Sequence, residues 1–189
     1  MRRALHLLTL VGLLGATQAR AEDGLLGWGL RVELGVGPVE AVGPGGAAVG
    51  VVQHLGFQLG LAPAWALRLE GSLSRGIEEG KASWAQAAVA VVGMYRFLDD
   101  RAPLRPALGA GLRIGALVAS RELLGLPAST DPNDRSSAGF PVSPLLAGSL
   151  EWRIGKALGL LLVIDGAWVS FPEGAVWHLS ERLVLALRF

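Results

Sequence analysis

The sequence has no cysteine, which excludes disulfide bonds and thiolate metal sites as supports for the fold. Lysine is scarce, with only Lys81 and Lys156, and the formal net charge is +1, so the charge balance does not indicate a nucleic-acid partner. Long apolar runs are also missing. Although 51% of the residues are hydrophobic, no run reaches the roughly 18 residues that a transmembrane helix needs. High hydrophobicity without such a run favours β-strands.

The first residues are typical of a secretory signal peptide. A basic start, Met1–Arg3, precedes an apolar stretch from Leu5 to Ala16 and a cleavage site of small residues that ends at Ala21. The stretch is too short for a membrane helix, and the residues on either side of it are typical of a signal peptide instead. We therefore expect residues 1–21 to be removed during export and residues 22–189 to form a single domain.

The rest of the chain shows a hydrophobic period of two, which is the period of a β-strand. The last segment shows it most clearly, because Leu183, Leu185 and Phe189 share one face while Arg182 and Arg188 lie on the other. Each segment is long enough for a tilted strand to cross a bilayer. The pattern predicts eight strands, near 26–37, 49–61, 65–75, 84–97, 104–119, 143–154, 157–170 and 177–189.

The connections between these segments alternate in length. Short turns are expected at one end, whereas the other end has longer loops, including Gly37 to Ala48 and the longest, Ser120 to Val142. This asymmetry, together with an even number of strands, is typical of outer-membrane barrels. It predicts that both chain ends lie on the periplasmic side.

Alternation by itself does not decide which face of the strands points outward. A lipocalin-type barrel would place the apolar face inside. The mixed face, however, is rich in glycine and in charges of both signs, which suits a narrow lumen, and an apolar outer face is stable only against lipid. The following charged residues are therefore predicted to line the lumen: Arg31, Glu33, Arg68, Glu70, Arg96, Arg105, Arg113, Glu151, Arg153, Asp165, Arg182 and Arg188.

A bundle of membrane helices is a weaker alternative. Gly111 and Gly115 have the spacing of a helix-packing motif, but such a helix would place Arg113 in mid-span at a cost of about 2.5–3.5 kcal/mol. In a barrel the same arginine faces the lumen. The strand interpretation is therefore favoured.

Aromatic residues lie near the ends of the predicted strands, where they would form two belts at the membrane interfaces. One belt, on the side of the chain ends, comprises Trp28, Trp65, Tyr95, Phe97, Trp152 and Phe189. The opposite belt comprises Trp84, Trp168, Phe171 and Trp177.

With these residues placed, the chain resembles the small eight-stranded outer-membrane barrels of the OmpA transmembrane-domain, OmpX and OmpW-like kind. The resemblance covers nearly all of residues 22–189, and it depends on strand number, aromatic belts and the C-terminal Phe189. It implies an all-β, up-and-down transmembrane barrel in the outer membrane, without a cofactor. It also implies a monomer surrounded by outer-membrane lipids and lipopolysaccharide, whose last strand, ending at Phe189, is recognised by the assembly machinery.

This resemblance implies a place in the cell but does not select an activity. We expect a structural or surface-interaction role through the outer loops, no enzymatic activity, and a lumen plugged by charged side chains. A narrow path for protons or small solutes, lined by Arg31, Glu33, Arg113 and Glu151, is one alternative.

A lipid A-modifying enzyme is the other alternative. His178 and Ser180 share one strand face, and the carboxylate of Glu181 could orient the histidine. The outer-membrane lipid A deacylases use a His-x-Ser pair of this kind, but the polar residues that surround their motif are missing here. The acidic cluster from Asp131 to Asp134 does not match the spacing of a calcium loop, so no metal site is predicted and residues 121–141 are expected to form a mobile surface loop.

Overall fold

The computed structural model describes residues 29–62, 64–76, 83–98, 102–127, 136–154, 157–171 and 174–189. The predicted signal peptide, Trp28 and the acidic cluster 131–134 lie outside them. Among the described residues, no helix is long and apolar enough to span a membrane. The strands are β1 (Leu30–Gly43), β2 (Gly46–Ala62), β3 (Trp65–Gly76), β4 (Trp84–Arg96), β5 (Leu104–Ser120), β6 (Ser136–Gly139), β7 (Val142–Arg153), β8 (Leu158–Phe171) and β9 (Gly174–Arg188).

Eight long antiparallel strands close into a barrel. Consecutive long strands are neighbours, β1 pairs with β9, and β4 and β5 complete the circle. The short β6 pairs only with the end of β5 among the described strands. The predicted all-β, eight-stranded antiparallel barrel is therefore confirmed.

The register of the strands fixes the tilt of the barrel. A row of paired residues that starts at Arg31 and crosses all eight strands returns to β1 at Ala41, ten residues further along. A shear of this size in eight strands corresponds to a tilt of about 40° from the barrel axis. The row comprises Arg31, Gln58, Arg68, Val92, Gly111, Leu145, Ala167, His178 and Ala41.

The outer wall is mainly apolar between two levels of aromatic residues. Trp65, Tyr95, Phe97, Trp152 and Phe189 are exposed near the end of the barrel where Leu30 and Phe189 meet, which we call the termini end; Trp168 and Trp177 are exposed near the other end, the hairpin end. Trp177 and Phe189 are twelve residues apart on one strand, which corresponds to about 30 Å along the axis at this tilt. This height matches the apolar band of an outer-membrane barrel, which is about 25 Å tall.

Two predictions about the hairpin end are wrong. The long loop from Gly37 to Ala48 does not exist, because β1 and β2 continue to a tight turn in which Gly43 pairs with Gly46. Gly46 has a φ of 140°, a conformation that side chains disfavour. Trp84 does not belong to the aromatic belt: it points into the barrel, where it is 4% exposed.

The hairpin end of the lumen is filled by an apolar plug. Leu123 and Leu124 are buried there, although we expected residues 121–141 to be a mobile surface loop. Gly45 N donates to Leu123 O at 3.2 Å, and Ser120 Oγ accepts from Leu123 N at 3.3 Å, so this segment is attached both to the first hairpin and to β5. The plug comprises Val39, Ala41, Ala48, Val52, Trp84, Leu117, Ala119, Leu123, Leu124, Val169 and Val176.

Candidate functional site

Below the apolar plug, charged side chains fill the lumen at two levels. The central cluster lies next to the plug and comprises Glu33, His54, Arg68, Glu70, Arg113, Asp165, His178, Ser180 and Arg182. The mouth arc lies at the termini end and comprises Arg31, Arg96, Arg105, Arg153 and Arg188. The charged residues of both sets alternate along their strands with lipid-facing residues, so the strand period places them inside.

The central cluster is balanced, with the three arginines Arg68, Arg113 and Arg182 facing the three carboxylates Glu33, Glu70 and Asp165. Asp165 binds two of the arginines: Arg113 Nη2 donates to its Oδ1 at 2.7 Å, and Arg182 donates to its Oδ2. Ser180 Oγ donates to the same Oδ2 at 2.9 Å. Every one of these side chains is almost fully buried, so each charge depends on its partners rather than on water.

Glu70 links the other side of the central cluster. Its Oε2 accepts from Arg68 Nη2 at 2.5 Å, and its Oε1 lies 3.4 Å from Arg113 Nη2. His54 Nδ1 accepts from Arg182 Nη1 at 3.0 Å. Contacts of this kind join β2, β3, β5, β8 and β9 across the barrel, so the cluster closes the cross-section at this level.

The mouth arc surrounds one carboxylate, Glu151. Arg31 Nη1 and Arg105 Nη2 donate to its Oε2 at 2.9 and 3.0 Å, and Arg188 donates to its Oε1. Gly159 leaves the space for this carboxylate, because a Cβ at that position would lie 2.9 Å from Glu151 Oε1.

The arc and the central cluster are connected through Arg31. Its Nε donates to Glu33 Oε1 at 2.7 Å, and it also donates to the Gln58 side chain. Of the predicted lumen residues, Arg96, Arg153 and Arg188 are partly exposed at the rim, whereas the others are buried.

The structure does not assemble the suggested hydrolase site. His178 and Ser180 point into the lumen, but Glu181 lies on the opposite face of β9 and is exposed on the outer wall, so it cannot orient the histidine. His178 Nδ1 accepts from Arg113 Nη1 at 3.1 Å, because a guanidinium has only donors. The Ser180 proton is directed to Asp165 rather than to His178. The role of Glu181 in this alternative is therefore wrong.

The path that would conduct ions is narrow at both charged levels. The cavity bounded by Arg31, Gln58, Arg105 and Glu151 has a volume of about 10 Å³, which is close to the minimum for one water molecule. On the hairpin side, the edge of Trp84 packs against His178, with ring centroids 5.1 Å apart. All four residues suggested as a channel lining form ion pairs. Arg31 pairs with Glu151 and Arg113 with Asp165 across the lumen, whereas Glu33 pairs with Arg31 on the same strand.

Three polar residues of the site, Ser74, Gln58 and His54, are not among the charged residues predicted to line the lumen. Ser74 Oγ lies 3.5 Å from His178 Nε2, and Gln58 and His54 bind arginines. Their position on the inward face was available from the strand period, but their partners depend on the register. No group of His, Asp and Glu among the described residues is arranged to hold a metal ion.

Comparison with known proteins identifies the fold but not a family. No family model matches the sequence, and no curated protein matches it. Neisserial surface protein A is similar over 85% of this chain and 97% of its own, with 12% identity and a TM-score of 0.69. Ail, the attachment invasion locus protein of Yersinia pestis, is similar over 86% of this chain and 99% of its own, with 13% identity and a TM-score of 0.56.

The outer membrane protein OprG from Pseudomonas aeruginosa is also similar, over 85% of this chain and 96% of its own, with 9% identity and a TM-score of 0.52. Identities this low show the fold alone. The chain has the fold of the small eight-stranded outer-membrane barrels.

Proposed function

We propose that this protein is an integral outer-membrane barrel without a conducting pore or an enzymatic activity, and that it acts as a rigid support for surface interactions at its hairpin end. In this proposal lipids and lipopolysaccharide contact its wall, and the assembly machinery recognises the strand that ends at Phe189. The termini end then faces the periplasm, and the hairpin end faces outward.

The proposed location in a membrane depends on the apolar composition of the outer wall of the barrel. Apolar side chains such as Leu73, Val89, Leu108 and Leu146 are 58–70% exposed between the aromatic belts. A surface of this kind is stable in lipid and would cause aggregation in water. The eight long strands described here form a closed ladder, so none of them is an edge strand in the hydrocarbon, as spanning strands require.

The filled lumen supports a structural role rather than transport. An eight-stranded barrel has an interior just wide enough for side chains, and here ion pairs occupy its lower levels while apolar side chains occupy the hairpin end. Ail has also been solved as a complex with the heparin analogue sucrose octasulfate. That complex supports a binding role for a barrel of this fold.

Membrane integration is tested by electrophoresis of the cell envelope. Unheated protein should migrate differently from boiled protein in the outer-membrane fraction, because the closed ladder persists in detergent until it is heated. Recovery of the mature protein in the soluble periplasmic fraction would contradict the proposal.

The closed lumen is tested in planar bilayers. The purified barrel should show no discrete conductance steps, because the central cluster and the plug fill its cross-section. A variant with Arg113→Ala and Asp165→Ala, which removes an ion pair from the centre, serves as a comparison. Discrete steps from the unmodified protein that are lost when lumen charges are neutralised would favour the channel.

The enzymatic alternative has its own test. Lipid A from cells that express the protein, the His178→Ala variant or the Ser180→Ala variant should be identical in mass spectra. Deacylated lipid A that depends on both residues would overturn the non-enzymatic assignment.

A further inference from the structure

The outer wall of the barrel carries charged and amide side chains on one side only. In the described strands, the outward faces of β4, β5, β7 and β8 have none, whereas β9, β1, β2 and β3, which are consecutive in the barrel, have one each. These four exposed residues are Glu181, Glu40, Gln53 and Arg75. Ionisable groups within a membrane are rare and usually have a functional partner.

The register arranges the four residues in two columns. Glu40 is paired with the residue two positions before Glu181, so it lies one strand across and two residues nearer the hairpin end. Arg75 is two positions beyond the partner of Gln53, which is the same offset. At a tilt of about 40°, this offset is about 8 Å along the barrel axis with almost no displacement around the barrel. Glu40 therefore lies directly above Glu181, toward the hairpin end, and Arg75 lies directly above Gln53.

The two columns stand side by side at matching heights. Val36 is paired both with Gln53 and with the residue two positions after Glu181, which fixes the offset between the columns. At the same tilt they are about 12 Å apart around the wall, and the two members at each level differ in height by about 1 Å. Glu40 is thus level with Arg75. Glu181 is level with Gln53, deeper in the wall.

These four side chains have no partner in the described part of their own barrel. None of them makes a hydrogen bond or an ion pair with another described side chain. Glu181 is the most costly of them, because it lies within the apolar band, below the aromatic belt of the hairpin end. Between the columns, the outward side chains are the short Pro38 and Val51. A second barrel wall can therefore approach this face closely.

We propose that this face joins two copies of the barrel through a two-fold axis along the membrane normal. Such an axis preserves heights and places the acidic column of each copy opposite the donor column of the other, as a self-complementary interface requires. Glu40 then pairs with Arg75 of the partner subunit. Glu181 accepts from the amide of Gln53 of the partner subunit, since a carboxylate has only acceptors and an amide has two donors. This pairing rests on the proposed membrane location, and it replaces the monomer that the resemblance implies.

Cysteine cross-linking in intact cells tests the pair, because the chain has no cysteine of its own and all copies in an outer membrane share one orientation. Val51→Cys lies between the columns, next to the same residue of the partner subunit. Val142→Cys is the matched control, since Val142 is exposed at a similar height on β7, on the opposite side of the barrel. Cells are oxidised with copper phenanthroline, and covalent dimers are measured by non-reducing electrophoresis. Val51→Cys should give at least about tenfold more dimer than Val142→Cys, because pairing raises the effective concentration of the two thiols.

Charge exchange tests the geometry of the upper level. In the Val51→Cys background, Arg75→Glu alone or Glu40→Arg alone turns two attractions into two repulsions and should lower the tendency to pair at least about tenfold, which is about 1.4 kcal/mol. The variant with both exchanges should pair again. Co-expression of the two single variants with different tags should give mixed dimers, which a folding defect would not produce. If neither combination restores cross-linking, the proposed contacts are wrong.

The turn after β3 provides a further control. Glu78, Glu79 and Lys81 follow Arg75 in the sequence and lie outside the described residues. Glu78→Gln together with Glu79→Gln should leave the dimer yield of Val51→Cys unchanged. If dimers form only after these two changes, the glutamates already neutralise Arg75 and the proposal is wrong.

The outcomes separate the pair from the proposed function and from lipid binding. Absence of a heat-modifiable barrel from the outer-membrane fraction would overturn both the location and the pair. A heat-modifiable barrel with equal dimer yields from Val51→Cys and Val142→Cys would leave the location intact and overturn the pair alone. A lipid phosphate bound by Arg75 would give this second result, because the lipid would keep the two walls apart.

Discussion

The two charged levels of the lumen use the same residue type for different purposes. In the central cluster three arginines face three carboxylates, every partner is buried, and the contacts join opposite walls. In the mouth arc three of the five arginines bind Glu151 directly, and three reach the rim. Balance and burial make the first level a structural core, whereas the second level is partly exposed to water.

The largest expected effect comes from breaking the central cluster at Asp165. Asp165→Asn removes the negative charge that Arg113 and Arg182 share and leaves three buried arginines facing two carboxylates, and the loss of one partner of a buried ion pair costs about 3–5 kcal/mol. Urea unfolding in lipid vesicles, followed by tryptophan fluorescence, measures the free energy of unfolding. Ile164→Leu, at the adjacent lipid-facing position, is the control and should be nearly neutral.

A smaller loss is expected at the mouth arc. Glu151→Gln removes the negative charge shared by Arg31, Arg105 and Arg188, and hydrogen bonds to charged groups contribute about 1.5–3 kcal/mol. Water and anions can reach the partly exposed Arg188, so the loss should be below that of Asp165→Asn in the same urea experiment. An equal or larger loss would show that the arc is as structural as the central cluster.

Salt should change the stability of variants at the two levels by different amounts. The Debye length falls from about 10 Å at 0.1 M to about 3 Å at 1 M salt, so repulsion within the partly exposed arc is screened. The destabilisation by Glu151→Gln should therefore shrink at 1 M sodium chloride, whereas that by Asp165→Asn should change little. If salt changes the destabilisation of both variants equally, the two levels do not differ in the way described here.

The smallest effect is expected on the outer wall. Glu181 is exposed four residues below Trp177 on β9, within the apolar band, and among the described residues no basic side chain forms an ion pair with it. In vesicles dilute enough to keep the barrels separate, replacement by leucine removes a charged group from lipid and should stabilise the barrel by less than about 2 kcal/mol, measured by the urea midpoint. Leu183→Ile is the control, and a destabilised Glu181→Leu variant would show that this carboxylate has a partner within its own barrel.

Sequence reasoning was most successful where only the strand period was needed. The inward or outward direction of Arg68, Glu70 and Trp152 follows from alternation, because successive side chains of a strand point to opposite faces. The same rule would have placed Trp84 with Gln86 inside and Glu181 outside. Trp84 was grouped by its position near a strand end, and Glu181 by its nearness to His178 in the sequence, instead of by face.

Other features had no local signal. Gly37 and Pro38 are typical of a loop, yet β1 continues through them because β2 pairs with this part of the strand. Leu123 and Leu124 belong to no periodic pattern in the sequence. A short turn that includes Gly125, with a φ of 69°, places their side chains in the apolar plug at the hairpin end. Burial of these two leucines depends on a lumen that exists only after closure.

The sequence by itself determined the number of strands, the face of each side chain and the aromatic belts, because these follow from a period of two along each segment. Only the tertiary structure decided which charges meet. A shear of ten residues brings Arg31 to Glu151 and Arg113 to Asp165, which lie 120 and 52 positions apart in the chain. Pairing across a closed barrel depends on the register of all eight strands together, and no single segment contains that information.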